Sequence, residues 1–186
     1  KVILSPTGAQ AMTSEPDWAR HWRWIVLAVW LLGCAWFVYD RTFMIRWLVL
    51  PDTDDNMRLS QVRALMAGQG WWDLRQYKLD PPRGFDIHWS RLVDLPIALL
   101  ITGLRPFLGT FGAERWAAAI APMLPLAVAM SAMALTVRRL IDPRSFVVAL
   151  GLLLCCQATL LMFMPMRIDH HGWQLAFLTL TLAGLA

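Results

Sequence analysis

The feature that most limits how this chain can fold is a set of apolar runs about as long as a bilayer is thick, each closed off by charge. A helix needs about 20 apolar residues to cross the hydrocarbon core. Trp24 to Val38 reads WIVLAVWLLGCAWFV, with Arg20, His21 and Arg23 before it and Asp40 and Arg41 after it. Trp116 to Val137 and Phe146 to Met164 are two more such runs, separated by Arg138-Arg139-Leu140-Ile141-Asp142-Pro143-Arg144. A short basic loop carrying a helix-stopping Pro reads as a cytoplasmic hairpin turn. From Trp173 the chain turns apolar again and stops at Ala186 inside what reads as a fourth span, which fits the N-terminal part of a longer protein. The expectation is an all-α integral membrane protein, with spans at about 24–39, 116–137, 146–164 and 173–186.

Composition agrees and excludes other classes. With 58% hydrophobic residues and eleven Trp, the chain is too apolar for a soluble domain of its length. The net charge of +4 comes from basic residues that flank the apolar runs, so it points to topology control and membrane lipid as a partner, not to nucleic acid. Cys34, Cys155 and Cys156 all lie inside apolar runs and act as small hydrophobes. Residues 1–21 read as a cytoplasmic tail, with Met12 as an internal candidate start. No small-residue cleavage site follows the first apolar run, which argues against a signal peptide.

Leu92 to Leu108 is apolar too, but Asp94, Pro96, Gly103, Arg105 and Pro106 interrupt it. Each of these is costly or helix-breaking at membrane depth. If the run crossed, the basic loop would fall outside the cell. If it lies along the surface, residues 40–115 form one large external loop containing surface helices, at the cost of Arg41 and Arg46 on the external side. We expect the second arrangement.

Two polar clusters stand out from this background, Pro51-Asp52-Thr53-Asp54-Asp55-Asn56-Met57-Arg58 and Arg167-Ile168-Asp169-His170-His171-Gly172-Trp173-Gln174. The surface-loop topology puts both on the external face. Three carboxylates within four residues repel one another unless a cation or a helix N-terminus compensates. Asn56 to Ala67 has helical spacing, so Asp54 or Asp55 is expected to cap a helix, and the other acids are then solvated loop charges or ligands. Asp169, His170 and His171 add further donors; alone, they would be a hydrated helix-start turn. Carboxylate oxygens with an imidazole suit Mn²⁺ or Mg²⁺, or at the limit Zn²⁺. Between the clusters, Gly and Pro impose turns around Gly68-Gln69-Gly70, Pro81-Pro82-Arg83-Gly84 and His88-Trp89-Ser90. Trp71, Trp72 and Trp89 suit an interfacial belt or a platform for a sugar ring.

Together, the acidic first-loop motif, the Arg after it, the Gly-aromatic turn, the Pro-x-Gly-x-x-x-His-Trp stretch and the closing Asp-His-His resemble membrane glycosyltransferases of the GT-C type. The similarity is to the catalytic subunit of oligosaccharyltransferase and its single-subunit archaeal and bacterial relatives, over about residues 24–186. The resemblance implies a GT-C-like N-terminal transmembrane bundle in a bacterial inner membrane, a polyprenyl-phosphate-linked sugar donor and a divalent metal. By position it implies Asp54 as the first-loop catalytic and metal-binding acid, with Asp52 as competitor, and Asp169 with His171 as the second metal pair. Asp55, His170 and His88 are further candidates. Arg58, Arg83, Arg91 and Arg167 are candidate phosphate partners, because a guanidinium fork fits phosphate oxygens. Gln174 stands where some relatives have Glu, and the family's later soluble acceptor-recognition domain does not occur in this sequence, which leaves the acceptor open. The alternative is a small non-catalytic membrane subunit or scaffold within a larger complex, with His170 or His171 ligating a pigment or haem. A transporter fragment fits less well, for want of paired helix breaks with charge at membrane depth.

Overall fold

The computed structural model describes residues 15–186, so most of the tail expected over 1–21 lies outside the described residues. The chain is mostly helical. Trp22–Asp40 forms α2 after the single turn α1 (Asp17–Arg20), and α3 (Thr42–Trp47) and α4 (Thr53–Met66) follow. A minimal hairpin, β1 (Arg75–Gln76) with β2 (Phe85–Asp86), precedes α5 (Arg91–Ile120) and α6 (Met123–Leu140). After α7 (Phe146–Cys155) and α8 (Gln157–Leu160) comes one 3-10 turn at Leu161–Phe163, and α9 (His171–Leu185) closes the order.

Long-range contacts give the bundle a direction. The start of α2 lies at the end of α6, where Arg138 packs over Trp22 and donates to the Ala19 carbonyl at 2.8 Å. Farther along α2, Trp30 Nε1 donates to Met123 O at the start of α6. The two helices are therefore antiparallel. In α9 the order matches α6: Gly172 at its start lies against Pro125, and Arg139 at the end of α6 donates to Ala183 O near its end. One end of the bundle thus carries Arg138, Arg139 and Arg144, and the other carries both acidic clusters. Trp24, Leu31, Leu32 and Trp36 on α2, with Phe177, Leu178 and Leu182 on α9, face outward, as lipid-facing side chains do. Among the described residues, α2 and the α5–α6 stretch are long and apolar enough to cross a membrane, and α7 with its continuation is a third if counted as one span. This is consistent with an integral membrane protein.

Two expected spans differ in detail. The run Phe146 to Met164 is not one straight helix, because its axis bends by 77° after Cys155. Polar Gln157 and Thr159 sit at that break, where the Cys156 thiol and Thr159 hydroxyl are 3.2 Å apart. The run Trp116 to Val137 is divided between the end of α5 and α6; Ala121 and Pro122 keep helical backbone angles, and the missing Pro N–H explains the interrupted hydrogen-bond ladder.

The segment Leu92–Leu108 belongs to α5, which breaks at Gly109 with φ 67° and ψ 178°. Asp94 before the break binds Arg58 and Glu114 after it binds Arg63, yet Arg58 and Arg63 are only five residues apart on α4. An unbroken helix from 94 to 114 would be about 30 Å long against about 7.5 Å on α4, so α5 has to fold back at Gly109. Ile97, Ile101, Ala113 and Ala117 to Ala119 then join Leu59 and Val62 in a second core, separate from the core around Leu126, Met130 and Phe146. This second layer carries the site.

Candidate functional site

Both acidic clusters start helices. Asp52, not Asp54 or Asp55, is the N-cap of α4, which begins three residues earlier than the sequence suggests. In the second cluster Asp169 Oδ1 accepts the His171 N–H at 3.0 Å, at the start of α9. Carboxylates at these positions satisfy orphan N–H groups and meet the positive end of the helix dipole. Gly172 permits the approach of α9: a Cβ there would lie 2.9 Å from Met162 O. On the other side of the cluster Met166 holds a left-handed φ of 76° and donates to Ala118 O at 3.0 Å, which ties the segment leading into Arg167 to the end of α5.

Arg167 is the centre of the arrangement. Its Nη1 donates to Asp52 Oδ2 at 3.0 Å and to Asp55 Oδ2 at 3.1 Å, and its Nη2 donates to Asp169 Oδ2 at 3.1 Å. Asp55 Oδ1 also accepts the Asp169 N–H at 3.1 Å. The two clusters, distant in sequence, therefore share one guanidinium. Asp55 is wholly buried and Asp169 nearly so. Burial pushes the Asp55 carboxyl up to about 7; Arg167 pulls it down and Asp169 pushes it up again. The more open Asp52 is held below its usual range by its hydrogen bond to Arg167.

The histidines extend this cluster. His171 Nδ1 lies 2.9 Å from Asp169 Oδ2, and its ring stacks on His170 at a centroid distance of 4.5 Å. Burial, with His171 and Arg58 nearby, lowers the pKa of His170, which keeps it neutral at neutral pH. Trp89 packs 5.6 Å from His170 and takes the Arg58 guanidinium 4.7 Å from its own ring centre. Trp89 is thus a tie between the loop and the second cluster as well as an aromatic surface.

The sequence-derived candidates divide accordingly. Asp52, Asp55, Asp169, His171 and Arg167 come together. Asp54 is half-buried, and its carboxylate has no hydrogen-bond or ion-pair partner among the described residues. Arg58 and Arg91 do not fit a phosphate-binding role: Arg58 is fully buried on Asp94, which is itself fully buried. Arg91, 3% exposed, binds Asp94, Gln69 Oε1 and the carbonyls of Gln61 and Asp73. Both guanidiniums hold α4, α5 and the intervening loop together. Arg83 stays exposed on the hairpin turn. Sequence reading gave Asp94 no such role; its place three residues after Arg91 on a helix was the signal that could have found it.

Beside the cluster a cavity of about 350 Å³ is lined by His88, Trp89, Ser90, His170 and Gln174. It shares Leu92, Val93, Trp173 and Phe177 with an apolar cleft of about 360 Å³ that continues to Leu95, Pro96 and Leu99. A largely apolar cavity with His88, Ser90, His170 and Gln174 in its wall thus continues into an apolar cleft, and His170 joins it to the acidic cluster. For a divalent ion the donor chemistry is suitable, since hard ions take carboxylate oxygens and imidazole. The space between Asp52, Asp55 and Asp169, however, is taken by the Arg167 guanidinium, and no group of three or more His, Cys, Asp or Glu among the described residues is arranged as a ligand shell. The described residues therefore do not form a ready ligand set for a divalent ion. No family model, curated protein or solved structure matches this chain.

Proposed function

We propose that this chain is the N-terminal, membrane-embedded part of a GT-C type glycosyltransferase that takes sugar from a polyprenyl-phosphate-linked donor. The observation that carries the reading is the meeting of Asp52, Asp55 and Asp169 on Arg167, beside a cavity that continues into an apolar cleft. A donor with an isoprenoid tail and a charged head needs that combination of surfaces. The positive-inside bias of the Arg138–Arg144 end supports a site on the extracytoplasmic face of a bacterial inner membrane.

Transfer is a displacement at the anomeric carbon: the bond to the phosphate oxygen breaks with its electron pair, and the acceptor oxygen or nitrogen forms the new bond and gives up its proton. Asp54, or Asp52 as its competitor, takes that proton or orients the acceptor, since Asp54 has no other partner among the described residues and both lie at the start of α4. Asp169 and Arg167 hold the cluster in register. Neutral His170, with His88 across the cavity, is available to hydrogen-bond the leaving phosphate. The Mn²⁺ or Mg²⁺ that the resemblance implies would supply further charge for the leaving group, and Asp54 and the exposed side of His171 are the donors left open to it.

The test uses the full-length protein in membranes with a radiolabelled lipid-linked sugar pool. Asp54→Asn should nearly abolish transfer while leaving expression intact, Asp169→Asn should lower both transfer and stability, and chelation should abolish transfer until Mn²⁺ or Mg²⁺ returns. Transfer that ignores both substitutions and the chelator would favour the alternative, a non-catalytic subunit of a membrane complex.

A further inference from the structure

The short helix α3, which connects the first span to the acidic start of α4, has two unlike faces. Ile45 is buried in the second core, while Phe43, Arg46 and Trp47, on the opposite side, are exposed. The same exposed line runs back over the end of α2 through Tyr39 and Trp36, whose rings are 5.9 Å apart. Because α2 starts at the Arg138 end of the bundle, these aromatic residues stand at the other membrane boundary, the level where Trp and Tyr collect.

The second arm of α5 brings Arg115 against this face. Its Nη1 donates to the Arg46 carbonyl at 3.4 Å, and Phe111, one turn earlier and more than half exposed, has its ring centre 5.9 Å from the Arg115 guanidinium carbon. The Arg115 Nε is enclosed, whereas Nη2 is not buried and makes no hydrogen bond among the described residues. Arg46 holds its guanidinium carbon 5.4 Å from the centre of the Trp47 ring and donates to no acceptor among the described residues. The acids next to them in sequence are committed elsewhere, Asp40 to Arg41 and Glu114 to Arg63, so neither Arg46 nor Arg115 has an ion-pair partner among the described residues. Two uncompensated guanidiniums thus stand at the end of the bundle where the positive-inside bias disfavours cations.

That pair calls for an anion, and guanidinium N–H groups fit phosphate oxygens. The aromatic rim decides what carries the phosphate. Around a free phosphate ion Phe43, Trp47 and Phe111 keep their apolar surface in water; beside the acyl chains of a lipid they bury it. A zwitterionic headgroup brings its own cation to the phosphate, whereas an anionic one leaves that charge for the protein to meet. We propose that Arg46 and Arg115 form a headgroup site for an anionic phospholipid in the leaflet at this end of the bundle, with the acyl chains along Phe43 and Trp47. None of these residues lines the cavities beside the acidic cluster, so the site does not depend on the transferase reading. Its occupant fastens α3 to the bilayer, and α3 leads directly into α4.

The experiment titrates the full-length protein, purified in detergent and stripped of lipid, with phosphatidylglycerol, phosphatidylcholine or glycerol phosphate, and reads bound lipid by native mass spectrometry. Phosphatidylglycerol should bind at concentrations on the order of tenfold lower than phosphatidylcholine, and Arg46→Gln and Arg115→Gln should each weaken it about fivefold, the worth of one basic side chain at an anionic lipid surface. Arg83→Gln, which removes an exposed guanidinium on the hairpin turn, should leave the binding unchanged. Arg46→Gln alters an exposed side chain, so its lipid-free melting temperature should match that of the unsubstituted protein and its binding loss is then a property of the site. Equal binding of the two lipids, phosphatidylglycerol binding indifferent to both substitutions, or an equal loss with Arg83→Gln would overturn the proposal. Displacement of the lipid by equimolar glycerol phosphate would make this a site for soluble phosphate and would overturn the lipid assignment as well.

Discussion

Replacing Arg167 by Met removes the one cation shared by Asp52, Asp55 and Asp169 and leaves Asp55 and Asp169 as adjacent carboxylates with side chains 0% and 1% exposed. Breaking a buried charge pair from one side costs about 3–5 kcal/mol, because the remaining charge is uncompensated in a weakly polarisable interior. Exposed Asp52 adds little to that sum. Arg167 lowers the Asp55 pKa, so its loss raises an already elevated value further, and below about neutral pH Asp55 can escape the penalty by taking a proton. The destabilisation should therefore be smaller in mild acid and approach its full size above pH 7. Asp55→Asn, Arg167→Met and the double variant form a thermodynamic cycle, read by tryptophan fluorescence during reversible unfolding in mixed micelles. The double variant should be less destabilised than the sum of the single changes, since Asp55→Asn leaves Asp169 as the one buried carboxylate stranded by the loss of Arg167. A cost under about 1 kcal/mol for Arg167→Met at pH 8, or strict additivity, would mean that Arg167 is not the electrostatic centre of the site.

For the unsubstituted protein, the folded state holds a proton on Asp55 up to about pH 7 while the unfolded chain releases it at an ordinary carboxylate value near 4. The folded state thus binds more protons across that window, so this group's contribution to stability declines as pH rises from about 4 to 7, and Asp55→Asn should flatten the decline in a pH series of unfolding midpoints. Arg58→Met takes the closer of two cations from fully buried Asp94 and leaves Arg91 at 3.3 Å, so it should cost up to about 3–5 kcal/mol. Arg63→Met breaks a pair half exposed on the Arg side and should cost about 1 kcal/mol or less, so equal costs in the same unfolding assay would contradict the burial argument. In a background without native cysteines, Ser90→Cys and Thr110→Cys should react with an impermeant thiol reagent from the same side of the membrane, because Asp94, Pro96, Arg105 and Pro106 disfavour a crossing by Leu92–Leu108; labelling from opposite sides would mean that the segment crosses.

Periodicity and charge placement made the membrane class and the first helix legible, because a run such as Trp24 to Val38 has no other low-energy environment. They also marked Leu92–Leu108 as interrupted, since Asp94, Pro96, Arg105 and Pro106 each have a cost that does not depend on neighbours. The identity of the acidic residues at the site was legible as a group, Asp52 to Asp55 with Asp169 to His171, because clustered carboxylates demand compensation wherever they sit.

Which carboxylate does what was decided by packing. Asp52 caps α4, Asp55 is buried and Asp54 is left without a partner among the described residues because of where the helix begins, a matter of one residue that no charge pattern resolves. Arg58, Arg91 and Arg167 are alike in sequence, as long cations near a membrane edge. Their fates diverge because the fold-back at Gly109 brings Asp94 onto Arg58 and Arg91, while the close seat of Gly172 and the turn at Met166 carry Arg167 to the acids of α4. Local free energies per residue, of transfer and of helix breaking, act without reference to the rest of the chain and so can be read from sequence. Pairing energies depend on which groups long-range folding makes neighbours, and only the tertiary structure contains that.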